Sequence, residues 1–182
     1  QDYGTTCNGS MAVQREGIRP TMKIGICGDK DGAFDSSLII HEFVHGLSIR
    51  LVGGADTNAC LRNDEQMGEG WSDWYALITT MKPGDSGDLP RGFATYYKGA
   101  GPLGGGLRTY PYTTSLELNP LTYDSIKYLG KPHGVGTVWA AILWDMTWSL
   151  VNEYGFDPNL YNFTGDIDSD SGNAMAMAIV TE

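Results

Sequence analysis

Leu38-Ile39-Ile40-His41-Glu42-Phe43-Val44-His45-Gly46-Leu47-Ser48-Ile49-Arg50-Leu51 is apolar at helical spacing. Asp35-Ser36-Ser37 precedes it as a source of N-caps, and Gly53-Gly54 follows it as a stop. On such a helix, His41 and His45 differ by about 40° around the axis, so both imidazoles leave one face a turn apart. That arrangement lets two ring nitrogens sit about 2 Å from a single ion. Glu42 is turned by about 100° from His41, away from the same coordination set but within reach of a bound water. The pattern is H-E-x-x-H, in which two histidines hold Zn²⁺ and the glutamate is the general base.

Zinc in such a site takes a third protein ligand and keeps one position open for water. Glu69, in Gly68-Glu69-Gly70-Trp71-Ser72-Asp73, is expected to supply it, because its distance from His45 leaves room for a loop and an antiparallel second helix. Asp73 is one turn further along the same face. A carboxylate there can accept a hydrogen bond from the non-ligating nitrogen of a metal-bound histidine. Trp71 and Trp74, with Leu77 and Ile78, make a stripe suited to helix packing.

Outward from these helices the signals are coarser. Residues 1–20 read as loop or edge structure, and Arg19–Cys27 alternates weakly as a strand. The second helix is expected from about Asn63-Asp64 to Met81, where Lys82-Pro83-Gly84-Asp85 stops it. Residues 84–119 form a long Gly/Pro/Tyr-rich segment, a length often associated with a binding-cleft wall. A short helix is expected over Pro120–Tyr128, a strongly apolar one from His133 or Gly136 to Tyr154, and a last one beginning at Ala174. The class is mostly α, or α+β with a small β margin.

The chain has 182 residues, 41% hydrophobic and 19% charged, as expected for one folded domain. Its net charge is −10, and no run of Lys or Arg is long enough to track a phosphate backbone, so no nucleic-acid partner is expected. No stretch approaches the roughly 18 apolar residues of a membrane span. The first residue is Gln1, and a processed or trimmed chain is expected. Cys7, Cys27 and Cys60 admit one disulfide plus an unpaired thiol, or three free thiols. Cys7–Cys27 is the favoured pair because both lie in the β-like N-terminal stretch. Asp166-Ile167-Asp168-Ser169-Asp170 admits a Ca²⁺ site or a solvated loop, and lacks the spacing of a calcium-binding loop.

His41-Glu42-Phe43-Val44-His45-Gly46-Leu47-Ser48, Gly53-Gly54 and Asp64-Glu65-Gln66-Met67-Gly68-Glu69-Gly70-Trp71-Ser72-Asp73 together resemble the fungalysin family of secreted metalloendopeptidases, part of the thermolysin-like group. Tyr110-Pro111-Tyr112-Thr113-Thr114, Asn119-Pro120-Leu121-Thr122-Tyr123 and His133-Gly134-Val135-Gly136-Thr137-Val138-Trp139-Ala140 follow in the family's order. The resemblance spans about residues 31–155. It implies a zincin-like catalytic domain with His41, His45 and Glu69 as zinc ligands, Glu42 as base and His133 as the donor to the tetrahedral oxyanion. From the residues alone, His133 reads equally as a helix N-terminal cap. The resemblance also implies contacts of Arg108 and Tyr110 with the substrate backbone or oxyanion, and sets Asn8-Gly9 where relatives carry an Asn-Ala pair on an edge strand.

Polypeptide substrates cut internally, with an apolar residue just after the cleaved bond, are implied in the same way. Only a short stretch precedes the zinc helix, whereas family members carry a β-rich half there. Residues 1–182 are therefore expected to be one catalytic domain, a fragment of a longer two-part enzyme or one chain from it. A propeptide or the missing β-rich half is a candidate partner. Two other functions fit the same ligands: an inactive zinc-binding protease half acting as a binding module, and an aminopeptidase.

Overall fold

The computed structural model describes residues 7–182. Two small antiparallel hairpins come first. β1 (Gly9–Ala12) pairs with β2 (Thr21–Ile24), placing Gly9 opposite Ile24 and Ala12 opposite Thr21. β3 (Ile26–Cys27) pairs with β4 (Lys30–Asp31). The expected strand over Arg19–Cys27 is thus interrupted at Gly25, whose carbonyl accepts from Gly32 N–H while its own N–H donates to the Asn8 carbonyl. Cys7 and Cys27 form a disulfide, which ties the N-terminal strand to the second hairpin. Cys60 is a free, half-buried thiol.

Among the described residues, five α-helices form the bulk: α1 (Ser36–Gly53), α2 (Gly68–Ile78), the short α3 (Thr95–Lys98), α4 (His133–Tyr154) and α5 (Gly172–Thr181). With the small β margin, the architecture is α+β. α1 packs on α2, α2 on α4, and α4 on α5. The first hairpin lies across α1, where the Met11 methyl rests against Gly46. The core gathers Trp74, Trp144, Trp148, Tyr97, Tyr112 and Leu38, and the Trp74 indole N–H donates to Thr147 Oγ1 at 2.8 Å. Truncating a tryptophan buried in this way typically costs about 3–5 kcal/mol.

α1 begins where the sequence placed its cap. Asp35 Oδ1 accepts from the N–H groups of Ser37 (3.1 Å) and Leu38 (3.3 Å). Its Oδ2 accepts from the N–H of Tyr97 at 3.0 Å, so one buried carboxylate joins the start of α1 to α3. α2 is shorter than expected. Asn63 closes a turn instead, its Oδ1 accepting from Gln66 N–H at 2.8 Å with Gln66 in the left-handed region (φ 45°). The expected helix at Pro120–Tyr128 is a 3₁₀ turn over Tyr123–Lys127 opened by a Thr122–Ser125 capping box.

Two glycines set the helix crossing nearest the site. A Cβ on Gly70 would lie 2.4 Å from the Gly136 carbonyl oxygen, and one on Gly136 would lie 2.5 Å from the Glu69 Cβ. α2 and α4 therefore touch backbone to backbone, which only residues without a side chain allow. Gly70 adjoins Glu69, and Gly136 lies one turn after His133.

The 84–119 segment, read as loop, is laced by backbone pairs. Arg91 and Tyr112 exchange N–H···O bonds at 2.9 and 2.7 Å, and Leu107 N–H donates to the Phe93 carbonyl at 2.9 Å. These bonds hold Phe93, Arg108 and Tyr112 against α1 and α2. Asp35→Ala removes the cap of α1 and orphans the Tyr97 N–H, so a loss of about 2 kcal/mol is expected. A urea midpoint unchanged from wild type would contradict this role.

Candidate metal centre

The H-E-x-x-H turn of α1 faces the first turns of α2. His41 is 4% exposed. Its Nδ1 is 2.7 Å from Asp73 Oδ1. A proton on Nδ1 donated to that carboxylate leaves the Nε2 lone pair aimed the other way. His41 Nε2 lies 3.0 Å from His45 Nε2 and 3.3 Å from Glu69 Oε2, and His45 Nε2 lies 3.5 Å from Glu69 Oε1. Ser72 Oγ is 3.2 Å from His45 Nδ1 and steadies the second ring. Glu69, Ser72 and Asp73 occupy positions i, i+3 and i+4 of α2, hence one face.

These separations test whether a metal ion fits. Four ligands at 2.0–2.1 Å in a tetrahedron stand about 3.3 Å apart. The observed edges of 3.0, 3.3 and 3.5 Å bracket that value. Among the described residues, His41, His45 and Glu69 are the one group of three His, Cys, Asp or Glu donors gathered within 4.8 Å. Two imidazoles and a carboxylate suit a divalent transition ion.

Asp73 is fully buried and accepts from every side. Arg108 donates through Nε to Oδ2 at 2.6 Å and through Nη2 to Oδ1 at 2.9 Å, and the Tyr112 hydroxyl donates to Oδ2. Burial disfavours the Asp73 charge, but Arg108 and His41 outweigh it and hold the carboxyl well below the usual range. Arg108 also reaches Glu69 Oε2 at 3.3 Å, and its guanidinium lies 4.8 Å from the Phe93 ring centroid. The same ring packs on His41 at 4.7 Å between centroids.

Burial would depress His41, yet hydrogen bonds to Asp73 and Glu69 push it up to about 9. Burial and the adjacent His41 take His45 down to about 4. Burial raises Glu69, but His41 draws it down to about 2. Arg108 and a His41 that holds its proton thus offset Glu69 and Asp73, and a divalent cation on the imidazole nitrogen would take that proton's place.

The donors open on a cleft of about 610 Å³, with Asn8, Glu42, Arg108 and His133 in its lining. Glu42 is 5% exposed, and burial pushes its carboxyl up to about 7. Its carboxylate is packed so closely on β1 that a Cβ on Gly9 would lie 2.4 Å from Oε1. His133 opens α4 with its Nε2 3.5 Å from Glu69 Oε2. The cap position belongs to Pro132, which makes no side-chain bond, so His133 does not cap the helix.

Arg108 lies in the cleft, but its fork is engaged by Asp73. Tyr110 is half-buried and outside the lining, whereas Tyr112 is buried on Asp73. Phe93, Ser72 and Tyr112 were not singled out by sequence reasoning. Tyr110 was named through the family resemblance alone, and Tyr112, two residues on, is the one that reaches Asp73. In the acidic loop, Asp170 Oδ1 accepts from Thr164 N–H at 2.7 Å and Oδ2 from Gly165 N–H at 2.8 Å, while Asp166 and Asp168 face solvent. Replacing Asp73 with Ala removes the partner of His41 Nδ1, and metal affinity is expected to fall about 10–100-fold. Competition with a chromophoric chelator measures it, and wild-type affinity would contradict the orienting role.

The model of the fungalysin metallopeptidase family (M36) matches residues 1–182. Extracellular metalloproteinase 2 of Trichophyton rubrum is 36% identical over 189 residues, covering 100% of this chain and 29% of that protein. An extracellular metalloproteinase of Aspergillus fumigatus is 40% identical over 163 residues, covering 85% of this chain and 25% of that protein. Extracellular metalloproteinase 2 of Arthroderma otae is 39% identical over 188 residues, with shares of 100% and 29%. The chain thus spans less than a third of the length of these curated relatives. It belongs to the fungalysin metallopeptidase family.

Proposed function

We propose that the chain is the zinc-binding catalytic part of a secreted metalloendopeptidase that hydrolyses internal peptide bonds. The observation that carries this reading is the convergence of three donors, at 3.0–3.5 Å from one another, beside a buried glutamate raised to about 7. In this reading His41, His45 and Glu69 hold the ion. Zinc bound there would act as a Lewis acid on the scissile carbonyl and acidify a water.

The remaining work falls to the chain's own side chains. Glu42 Oε takes a proton from the attacking water and returns it to the leaving amine. A carboxyl poised near neutrality can do both. His133, exposed at the cleft mouth, donates a hydrogen bond to the carbonyl oxygen as it gains charge. Asp73 fixes the His41 tautomer, and Arg108 and Tyr112 fix Asp73. Asn8, just before β1, lines the cleft, in keeping with substrate contact.

Residues 1–182 form one catalytic domain in this account, within a longer enzyme. Secretion accords with the relatives named as extracellular and with the Cys7–Cys27 disulfide, which suits an oxidising compartment. Among the described residues, no helix is long and apolar enough to cross a membrane. A second reading, a zinc-binding module without turnover, draws on the slightness of the β wall, a two-stranded sheet over the cleft.

Cleavage of casein that stops with a chelator and returns with zinc would favour the protease, and zinc binding without cleavage would favour the module. Glu42→Gln is expected to keep one zinc per chain and lose about 10²–10⁴-fold in turnover. Normal cleavage by that variant would sink the assignment of the base. His133→Phe is expected to lower kcat about 10²–10³-fold with zinc retained. An unchanged kcat would remove His133 from the reaction.

A further inference from the structure

The groove over the donors continues beyond them. The 610 Å³ cleft shares Met11, His45 and Glu69 with a second depression of about 230 Å³. Leu38, one turn before His41 on α1, lines the first, and Ile49, one turn after His45, lines the second. The larger hollow thus holds the donor set, and the smaller one continues it along α1 beyond His45. A peptide extended across the donors would place residues in both.

The smaller hollow has a definite chemistry. Met11, Ile49, Leu61 and Pro132 make apolar walls, and among the described residues of the lining Arg62 is the one Lys or Arg. Arg62 is exposed, and among the described residues its guanidinium has no hydrogen bond or ion pair. Glu69, already engaged with Arg108 and the imidazoles, is the only carboxylate among the described residues of the lining. The loop bearing Arg62 is fixed rather than slack. Asn63 Oδ1 holds the Gln66 N–H at 2.8 Å with Gln66 at φ 45°, and Asn58 Nδ2 donates to the Val13 carbonyl at 3.0 Å. A left-handed conformation at a residue with a side chain is unfavourable and persists where its surroundings over-determine it.

We propose that this hollow is a second substrate subsite, in which Arg62 selects peptides with a glutamate on the side of the scissile bond that runs past His45 toward Ile49. The inference rests on the proteolytic reading above. Glutamate's two methylenes cover the apolar walls while its carboxylate reaches the guanidinium fork. Lysine there would meet an uncompensated like charge. The chain's net charge of −10 disfavours acidic peptides in general, so a local preference for glutamate depends on Arg62.

Zinc-loaded protein and its Arg62→Glu variant are given one peptide library, and residue frequencies around each cut are read by mass spectrometry. Glutamate is expected to be enriched about three- to tenfold at one position by the wild type, with lysine taking its place in the variant. No enrichment, or an enrichment indifferent to Arg62→Glu, overturns the subsite.

A second measurement is independent of turnover. Zinc-loaded Glu42→Gln protein, with and without Arg62→Glu, is titrated with labelled peptides in which a single glutamate is moved along the chain. One position is expected to bind more tightly, with the advantage lost in the double variant. Equal binding of all the peptides overturns the proposal. Position-dependent binding by a protein that cleaves nothing supports the subsite while removing the proteolytic reading.

Discussion

The arrangement turns on one buried carboxylate. Asp73 has no contact with solvent, and a bare charge there would be untenable without close partners. It is stabilised because Arg108 grips both oxygens, the Tyr112 hydroxyl donates to one and His41 Nδ1 faces the other. These are charge-assisted bonds on rigid elements, so removing one partner leaves the others uncompensated. The benefit to the site is directional. With Nδ1 committed to Asp73, His41 can present only Nε2 to its neighbours, and that atom is the one within 3.0–3.3 Å of His45 and Glu69. Arg108, a candidate for substrate contact on resemblance, is better understood through this contact. Its charge offsets Asp73, and its Nη2 reaches past it to Glu69.

Backbone contact between α2 and α4 serves the same end by other means. Gly70 and Gly136 allow the helices to touch, and the residues beside them are Glu69 and, a turn away, His133. A side chain at either glycine would separate the helices and carry His133 away from the donors, although neither glycine touches a reactive atom. The cross-braced 84–119 segment supplies the third side. Its length would suggest looseness, yet the Arg91–Tyr112 and Phe93–Leu107 backbone pairs make it a frame for Arg108 and Tyr112.

What the sequence made legible follows from how local each feature is. The α1 cap at Asp35 and the shared face of His41 and His45 depend on helix geometry alone, and both were readable. Glu69 and Asp73 were readable because they repeat the same one-turn logic on a second helix. The start of α2 was misread because Asn63, a good cap by type, closes a turn at Gln66 instead. The strand over Arg19–Cys27 was overextended because its break depends on Gly25 pairing with Asn8 and Gly32. Tyr112 and Phe93 were invisible as site residues because long-range pairing, not periodicity, brings them to Asp73 and His41. The choice of Tyr110 over its neighbour had no local signal to correct it.

The smallest element has the most indirect influence. β1 is four residues long and packs on α1 through Met11. It nonetheless covers the Glu42 carboxylate so closely that Gly9 has no room for a methyl group. Burial is the first cause of the raised Glu42 carboxyl, and the acidic neighbours Glu69 and Asp73 add to it against the pull of His41 and Arg108. A strand held by a disulfide and one hairpin therefore does two things at once: it walls the cleft along which a peptide would lie, and it dries the group that would take a proton from water. Loosening the strand would rehydrate Glu42 and return its carboxyl toward the ordinary acid range, separating the loss of base strength from any loss of metal. The two halves of the centre are thus maintained by different parts of the molecule. The ligands depend on Asp73 and the helix crossing, and the base depends on the edge strand above it.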